Sequence, residues 1–406
     1  MLERLRIAQV ITRLDRGGSS DMVIALCERL DRRRFDVTLV AGPATDPVEE
    51  PAALAGRLGI TAVECPRLAR EVRPRADLRA LLDLRSAFEK IRPHVVHAHT
   101  SKAGALGRLA ARLAGVPAVY SPHGHLFYGY YGKFGTALVV LAERVLASLA
   151  PQRIAVLTDT SRAEHLARGI GRFGQFVTIP SGIDLKRFVR DDAARRAMRA
   201  ELGLAPDQFA AGWVGRFVEV KGPDVFIEAC GLIAKELPGA VFVLAGDGEL
   251  RGAVEERAAE LGIGGRCRFL GRRSDIPAVL NACDAYVLSS RNEGLGLSVV
   301  EALACGTPVV AADVGGVRDV LQDGRFGLLV PYDDRYEFFD AYASKNSHLT
   351  RETRGLADAV ILLAKDETRR NVFIKTGLER AKDFDISTTV ERFAEIYEEL
   401  AQECSA

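Results

Sequence analysis

Short apolar runs rich in β-branched residues alternate with amphipathic stretches along almost the whole chain of 406 residues. This alternation is typical of parallel sheets that are covered by helices. In the first half the predicted strands are IAQVI, DVTLVAG, TAVEC, HVVHAH, PAVYS, RIAVLT and FVTIPS. The second half repeats the pattern with AAGWVGR, AVFVLAG, CRFLG, AYVLSS, PVVAAD and GLLVP. The sequence therefore predicts an α/β fold.

The pattern and the length together favour two Rossmann-like, doubly wound domains. A polar stretch from Ser181 to Asp207, with a short predicted helix, separates the halves. We expect domains at 1–182 and 183–385, with a C-terminal helix at about 386–406 that packs back on the first. Ligands should gather at the carboxyl ends of the strands, in the crevice that the two domains enclose.

Helix boundaries follow from the same pattern. The predicted helices of the first half include Ser20 to Leu30, Asp77 to Ile91 and Ala103 to Leu113, and those of the second half open near Pro223, Glu249, Ser274 and Ser298. Residues 332–356 interrupt the alternation with aromatic and polar residues, and they indicate neither a clean helix nor a simple turn.

Composition excludes several classes of protein. The seven cysteines form no CxxC pair and no Cys/His cluster, so the sequence indicates no zinc site, no disulfide framework and a reduced, cytoplasmic setting. We expect no signal peptide. The longest apolar stretch, from Thr136 to Ala150, contains Glu143 and Arg144 and is predicted to be a buried or interfacial helix rather than a membrane span.

Charge is distributed unevenly. Residues 1–180 carry 26 Lys and Arg against 17 Asp and Glu, although the whole chain has a net charge of +1. A solvated basic face explains this excess as well as an anionic membrane surface or a phosphate-bearing acceptor does. A cluster ahead of and into a predicted helix fits the membrane explanation: Arg67, Arg70, Arg73, Arg75 and Arg79. No nucleic-acid motif is present, so nucleic acid is not an expected partner.

The most informative group of polar residues is EGLGLSVVE, which starts at Glu293 and follows the strand AYVLSS. Gly296 lets the backbone approach a ligand, and Ser298 is predicted to open a helix with Glu301 in its first turn. Carboxylates accept hydrogen bonds from sugar and ribose hydroxyls, and a helix N-terminus attracts phosphate. A structural explanation is also open, because Ser298-x-x-Glu301 is a capping-box sequence.

Two Glu separated by seven residues in a C-terminal domain are the mark of family 4 of the GT-B glycosyltransferases. The chain resembles this family over nearly its whole length. Near the N-terminus, Arg16-Gly17-Gly18 resembles the family's Gly-Gly loop, whose backbone approaches the donor phosphates and the reacting sugar. Many members continue with a small residue and an acid, whereas this chain has Ser19-Ser20. Taken alone, Gly-Gly also fits an ordinary tight turn.

The segment HAHTSKAGALGRLAARLAGVPAVYSPHGH resembles polysaccharide-building members of the family. His123, after the strand PAVYS, corresponds to the family's active-site histidine near the transferred sugar. A single histidine is more often structural, but its position at a strand's carboxyl end in a matching segment favours a site role. Alternation puts His97 and His99 on one face of their strand and is expected to spread the group, which also includes His125. No metal site is therefore predicted.

Two cations flank a predicted turn in GWVGRFVEVKGPD, where Arg216 and Lys221 can grip a diphosphate. They resemble the family's Gly-Arg…Lys-Gly pair, which neutralises the leaving nucleotide diphosphate. An isolated Arg and Lys in a loop are more often solvated charges, so this assignment depends on the accompanying Glu pair.

The resemblance implies a retaining glycosyltransferase of GT-B fold, of the hexosyl- or N-acetylhexosaminyl-transferring class. It would move a sugar from a nucleotide-diphosphate sugar, expected to be a UDP-sugar, to a saccharide or lipid-linked acceptor in cell-surface polysaccharide or lipopolysaccharide biosynthesis. The implied location is the cytoplasm, as a peripheral protein on the inner face of the membrane. No cofactor and no metal are expected.

The implied site divides into two sets. The catalytic residues are Glu293, His123, Arg216 and Lys221, and the substrate-binding residues are Gly17, Gly18, Gly296, Leu297, Ser298 and Glu301. Glu301 would bind the ribose and Glu293 the sugar hydroxyls. Two alternatives stay open from the sequence: a nucleotide-sugar epimerase of similar tandem-Rossmann fold, and a non-catalytic nucleotide-binding protein.

Overall fold

The computed structural model describes residues 4–47, 49–124, 132–149, 152–332 and 350–404. The chain divides into two compact units. One comprises Met1–Gly182 together with Ile386–Ala406, and the other comprises Ile183–Asp385. Each unit contains one parallel sheet with helices on its faces.

The first unit has a seven-stranded sheet in the order β3-β2-β1-β4-β5-β6-β7. The strands are β1 (Leu5–Ile11), β2 (Phe35–Ala41), β3 (Thr61–Glu64), β4 (Val95–His99), β5 (Ala118–Ser121), β6 (Gln152–Val156) and β7 (Phe176–Thr178). All neighbouring pairs are parallel. The chain runs outward from β1 in one direction and from β4 in the other, so the strand order reverses between these two strands.

Seven helices belong to this described part of the first unit. They are α1 (Gly18–Arg29), α2 (Pro51–Leu58), α3 (Pro74–Ile91), α4 (Ser101–Leu113), α5 (Lys133–Leu149), α6 (Asp159–Ala167) and the C-terminal helix, which is α15 in chain order (Ile386–Glu403). Helix α15 packs on the first sheet although it follows the whole second unit in sequence. Its Phe393 and Tyr397 are buried in one hydrophobic cluster with Ile7 and Phe35. The Tyr397 and Phe35 rings meet edge to face, with centroids 6.2 Å apart.

The second unit has a six-stranded parallel sheet in the order β10-β9-β8-β11-β12-β13. The strands are β8 (Ala210–Val214), β9 (Val241–Ala245), β10 (Cys267–Gly271), β11 (Ala285–Leu288), β12 (Val309–Ala312) and β13 (Leu328–Val330). The helices are α7 (Asp192–Glu201), α8 (Pro223–Glu236), α9 (Arg251–Glu260), α10 (Ile276–Ala282), α11 (Leu297–Ala304), α12 (Val317–Leu321), α13 (Arg351–Lys365) and α14 (Glu367–Ala381). Here the order reverses between β8 and β11.

The strands form where apolar runs are buried from both faces, which is why they lack strict alternation. Strand β9 is buried along its whole length, and Trp213 of β8 meets Phe217 edge to face and stacks on Phe226 in the core. All thirteen predicted strands are present, and the two parallel α/β units confirm the predicted fold class.

The charged residue Glu143 in the apolar helix α5 has a structural role. Glu143 is buried and pairs with Arg108 of α4 through two 2.8 Å contacts. The Arg108 guanidinium also lies 3.8 Å from the centroid of the Tyr120 ring. Glu143 therefore anchors α5 to the neighbouring helix and strand. Within the described ranges, no helix is long and apolar enough to cross a membrane.

Several helix boundaries differ from the prediction. Helix α3 starts at Pro74 rather than Asp77, because proline fits the first helical position, where its missing N–H costs nothing. Helix α1 starts at Gly18 rather than Ser20 and α4 at Ser101 rather than Ala103. Of the 332–356 segment, residues 333–349 lie outside the described ranges, whereas Thr350 caps α13 through its hydroxyl. His125 also lies outside them.

Candidate functional site

In each unit the loops that follow the two strands at the reversal point lie side by side, which is where open α/β sheets bind ligands. In the first unit these are the loops after β1 and β4. The Thr12 and Thr100 hydroxyls join them at 3.1 Å. Gly17 precedes α1 with a φ of 146°, which side-chain-bearing residues rarely adopt. Gly18 is the first residue of α1, so the Gly-Gly pair lies at the carboxyl end of the sheet and the N-terminus of a helix.

His123 follows β5 at the same edge of the sheet, with a φ of 59°. Its Nε2 lies 2.7 Å from Nδ1 of His99, and the two rings stack at 5.0 Å between centroids. His97 and His99 do share a face of β4, with ring centroids 3.8 Å apart. The predicted shared face is confirmed, whereas the third member of that group, His125, lies outside the described residues. The contact of His123 was not predicted: the loop after β5 folds it back against the end of β4.

Buried polar groups continue from these histidines into the unit. His99 Nε2 lies 2.7 Å from Gln9 Oε1, and Gln9 Nε2 donates to the Tyr397 hydroxyl at 3.0 Å. The same hydroxyl lies 2.6 Å from His97 Nδ1, whose ring contacts Ser121 Oγ at 2.8 Å through Nε2. Burial lowers the pKa of His123 to about 4 and keeps the pKa values of the other two histidines well below their usual range.

In the second unit the loops after β8 and β11 are tied together by hydrogen bonds. Ser289 accepts from Trp213 Nε1 at 3.1 Å and donates to the Gly222 carbonyl at 2.7 Å. Gly222 has a φ of 61°, and a Cβ there would lie 2.0 Å from the Ser289 carbonyl oxygen. Only glycine allows this approach. The Arg291 amide completes the connection by donating to the Val220 carbonyl at 2.9 Å.

This connection places Lys221 beside Glu293. The Lys221 ammonium donates to Glu293 Oε1 at 2.7 Å, and Ser290 Oγ donates to the same oxygen at 2.7 Å. The Glu293 side chain is 9% exposed, and that of Lys221 is 28% exposed. Arg216, in the loop after β8, is exposed and has no side-chain partner among the residues that the structure describes. A charged pair and a free guanidinium therefore lie at this edge of the sheet.

The capping-box explanation for Ser298 and Glu301 was wrong. Gly296, with a φ of 82°, is the N-cap of α11, and no side chain caps this helix. Leu297 is its first residue, and Ser298 Oγ instead accepts from the Tyr286 hydroxyl at 2.8 Å. Glu301 lies in the second turn rather than the first. The αL conformation of Gly296 moves the helix start one residue earlier than the sequence pattern suggests.

Across the described residues, no three His, Cys, Asp or Glu side chains are arranged to hold a metal ion. All seven cysteines are free, and six of them are buried. Both ring nitrogens of His97 and His99, and Nε2 of His123, are engaged with one another or with Gln9, Tyr397 and Ser121.

Residues that the sequence analysis did not single out complete both sites. Gln9 and Tyr397 lie in the interior of an ordinary strand and helix, and nothing local marks them. Ser290 could have been found, because it follows the buried strand β11 three residues before Glu293. His97 and His99 were noticed as polar residues in a buried strand, but their partners come from distant parts of the chain.

Two parallel sheets with polar loops at their reversal points define a tandem-Rossmann protein. Its second unit carries two cations, Lys221 and Arg216, that suit a phosphate ligand. The sequence comparisons state the class. Residues 16–187 match the profile described as Glycosyltransferase Family 4, and residues 194–344 match that described as Glycosyl transferases group 1. The chain is 30% identical over 345 residues to the UDP-Gal:alpha-D-GlcNAc-diphosphoundecaprenol alpha-1,3-galactosyltransferase of Escherichia coli, covering 83% of this chain and 87% of that protein.

Another relative covers even more of the chain. The D-inositol 3-phosphate glycosyltransferase 2 of Catenulispora acidiphila is 30% identical, over 97% of this chain and 92% of its own length. The solved structure of Anabaena HepE in complex with UDP and glucose has the same fold, with a TM-score of 0.79 and 22% identity over 98% of this chain and 100% of that one. The chain belongs to glycosyltransferase family 4 and has the GT-B fold. It is a glycosyltransferase, which decides against an epimerase and against a non-catalytic nucleotide-binding protein.

Proposed function

We propose that this glycosyltransferase moves a sugar from a UDP-sugar to a lipid-linked or saccharide acceptor in cell-surface polysaccharide biosynthesis, with retention of anomeric configuration. The observation that carries the proposal is the Lys221–Glu293 pair at the reversal point of the second sheet. The E. coli relative is named for a UDP-sugar donor and a diphosphoundecaprenol acceptor. HepE is bound to UDP in its solved structure.

In this proposal the second unit binds the donor. Arg216 and Lys221 stabilise the negative charge that grows on the leaving β-phosphate. Lys221 is already held in place by Glu293, so little reorganisation is needed when the charge develops. Glu293 Oε2 has no hydrogen-bond partner in the part of the chain that the structure describes, and we assign it to a hydroxyl of the transferred sugar. Glu301, with Gly296, Leu297 and Ser298 at the start of α11, would bind the ribose and phosphates.

For the first unit we propose roles toward the same substrates from the family resemblance. Gly17 and Gly18 would let the backbone approach the sugar and phosphates, and His123 would face the sugar. Because Lys221 and Arg216 neutralise the diphosphate, the proposed transfer needs no metal ion. Retention is proposed from the family resemblance.

A two-stage experiment tests the function. A thermal-shift screen of the purified chain across UDP-, GDP- and ADP-sugars should show stabilisation by UDP-sugars alone, since a ligand that binds only the native state raises the unfolding temperature. The selected donor is then incubated with undecaprenyl-diphosphate-linked saccharide in excess EDTA. We expect transfer at an undiminished rate and, by NMR of the anomeric proton, a first product with the donor's anomeric configuration. An inverted product, or chelator-sensitive transfer that Mg²⁺ or Mn²⁺ restores, would contradict the mechanism.

A lipid-linked acceptor places the enzyme at a membrane, and we propose that helix α3 contacts anionic lipid at the cytoplasmic face. Leu78 and Leu82 are 60% and 53% exposed on this helix, one turn apart. Arg75 and Arg79 are exposed on the same stripe, and neither has an ion-pair partner in the described ranges. An exposed apolar stripe with unpaired arginines is typical of interfacial helices. Of the other clustered arginines, Arg67 pairs with Asp83 at 2.7 Å.

Sedimentation with vesicles tests this contact. The chain should bind vesicles that contain phosphatidylglycerol and not neutral phosphatidylcholine vesicles at low salt, because each cation near an anionic surface contributes about 1 kcal/mol. Arg75→Ala/Arg79→Ala should lose most of the binding. The control is Arg85→Ala on the same helix, whose side chain is paired with Glu89 at 2.8 Å. Equal binding to both vesicle types would leave these arginines as solubilising charge.

A further inference from the structure

One continuous hydrogen-bonded chain runs from His123 into the interior of the first unit. Its members, in order, are His123, His99, Gln9, Tyr397, His97 and Ser121. Five of the six are buried, and His123 is the half-buried end. This series of hydrogen bonds joins β1, β4, β5 and the C-terminal helix α15, so it depends on residues that are up to 388 positions apart in the sequence.

The direction of each hydrogen bond in this series fixes the direction of the next one. A neutral imidazole has one N–H donor and one acceptor nitrogen, and an amide has a donor end and an acceptor end. If Gln9 Oε1 accepts from His99 Nε2, then His99 Nδ1 must accept from His123 Nε2. If the amide were reversed, both histidines would carry the proton on Nδ1 instead. The orientation of one buried amide therefore sets the tautomer of His123.

Gln9 Nε2 faces the Tyr397 oxygen and donates to it, which leaves the single phenol proton for His97 Nδ1, and the distances around Tyr397 agree with this direction. O–H donors make shorter hydrogen bonds than N–H donors do, with typical separations of about 2.7–2.8 Å against about 2.9–3.0 Å. The Tyr397 oxygen lies 2.6 Å from His97 Nδ1 and 3.0 Å from Gln9 Nε2. The phenol thus donates to His97 and accepts from Gln9. In the opposite direction the short contact would be the N–H bond and the long one the O–H bond.

We propose that Tyr397 and Gln9 are positioning residues that hold His123 in the Nε2–H tautomer, so that His123 presents Nδ1 to the substrate as a hydrogen-bond acceptor. His123 Nδ1 has no partner in the described part of the chain, and the ligand it fits is a hydroxyl group of the transferred sugar. This last assignment rests on the proposed function. The same direction places the proton on Nε2 of all three histidines, because His97 then donates from Nε2 to Ser121 Oγ. His123 therefore accepts a hydrogen bond from the substrate and donates none to it.

Long-range ¹H–¹⁵N correlation spectra of the full chain, labelled with ¹⁵N-histidine, report the tautomers directly and need no substrate. We expect Nε2–H at His97, His99 and His123 near neutral pH. Tyr397→Phe keeps the ring but frees the Gln9 amide, so a population with the proton on Nδ1 should appear at His99 and His123. Transfer should then fall about 10- to 100-fold, the range found when a metal-bound histidine loses its outer hydrogen-bond partner.

Two controls separate the tautomer effect from packing. Ser121→Ala removes a hydrogen bond of the same series beyond Tyr397, and Phe393→Leu alters the ring that packs, tilted, against His97 at a centroid distance of 4.8 Å. Both should leave the tautomers of His99 and His123 unchanged. If Tyr397→Phe does not fold, Gln9→Leu tests the same connection from the other side.

An Nδ1–H tautomer at any of the three histidines in the unsubstituted chain would overturn the proposal. So would undiminished transfer by a Tyr397→Phe enzyme whose tautomers have changed, because the enzyme would then be indifferent to the acceptor nitrogen. If the unsubstituted chain transfers no sugar at all, the proposed function fails, while the spectra still decide whether the hydrogen-bond direction is as inferred.

Discussion

The candidate site residues of the two units, at the carboxyl edge of each sheet, differ in the kind of interaction they offer a ligand. The first unit offers neutral imidazoles whose roles are set by hydrogen-bond direction in a buried environment. The second offers formal charges, with the Lys221 ammonium against the Glu293 carboxylate and the exposed Arg216 guanidinium. The edge of the first sheet distinguishes hydrogen-bond donors from hydrogen-bond acceptors, and the edge of the second sheet attracts or repels charged groups. In a transferase these are the requirements of a sugar and of a diphosphate, respectively.

The two edges also differ in how the chain builds them. The second depends on two loops of one unit, at 215–222 and 289–296, which Ser289 and Gly222 hold in contact. The first depends on residues from both ends of the sequence, since Tyr397 belongs to the last helix. Substitutions at the charged edge should therefore act locally, whereas those at the histidine edge should be felt through several partners.

The largest effect is expected at the charged edge. Arg216→Ala and Lys221→Ala should each lower kcat by about 10²-fold or more, because they serve charge that is present mainly in the transition state. The thermal unfolding temperature should hardly change. Lys235→Ala, on the exposed end of α8, is the matched control and should have normal kcat. Near-normal turnover in both site variants would remove the diphosphate assignment and leave the contrast between the edges unsupported.

A smaller effect should separate the two glutamates of that edge. Glu301→Gln should weaken donor binding by about 1.5–3 kcal/mol, the range for a lost charged hydrogen-bond partner. It should not destabilise α11, because Gly296 rather than a side chain caps this helix. Glu293→Gln should act mainly on kcat, since it also removes the carboxylate that holds Lys221. Calorimetric donor titration and steady-state kinetics distinguish these outcomes. Unchanged donor affinity in Glu301→Gln would exclude a ribose contact.

The fold was predictable because its signals are local and repeated. Each buried strand is a short apolar run between turn signals, and thirteen such runs in two series leave few alternatives to tandem parallel sheets. Helix starts were less accurate. The αL glycine before Leu297 and the proline at Pro74 each moved a boundary, since capping depends on backbone conformation that a sequence pattern does not specify.

The candidate site was predictable only where its residues share a motif. Lys221 and Glu293 were identified from their own segments, although their 2.7 Å contact was not. The contact between His123 and His99 was not predicted, because strand alternation describes one strand and not the loop that returns His123 to it. Tyr397 gives no local signal, because a tyrosine on the apolar face of a helix is ordinarily a core residue.

The remaining prediction compares the two units by their response to pH. The pKa of His123 is about 4 and lies below its ordinary value of 6.5, because burial disfavours the imidazolium. Below pH 6.5 the unfolded chain takes up a proton that the folded first unit resists, so the free energy of unfolding of this unit falls as pH falls toward 4. In the second unit, burial raises the pKa of Glu352 from 4.5 to about 8. There the folded state retains a proton that the unfolded chain loses, so stability falls as pH rises from 4.5 to 8.

The two units should therefore lose stability in opposite directions from neutral pH, each by about 1.4 kcal/mol per pH unit and per proton at most. Amide hydrogen exchange, corrected for the intrinsic pH dependence of the rates, can follow β4 and β5 in one unit and α8 and α13 in the other. Glu352→Gln should flatten the response of the second unit and leave that of the first unchanged, because the amide cannot ionise. Glu352 lies 7% exposed near Arg291 and Asp224, whose charges act on it in opposite senses. If the second unit became more stable between pH 5 and 8, the Arg291 charge would outweigh burial and Glu352 would be ionised in the folded chain.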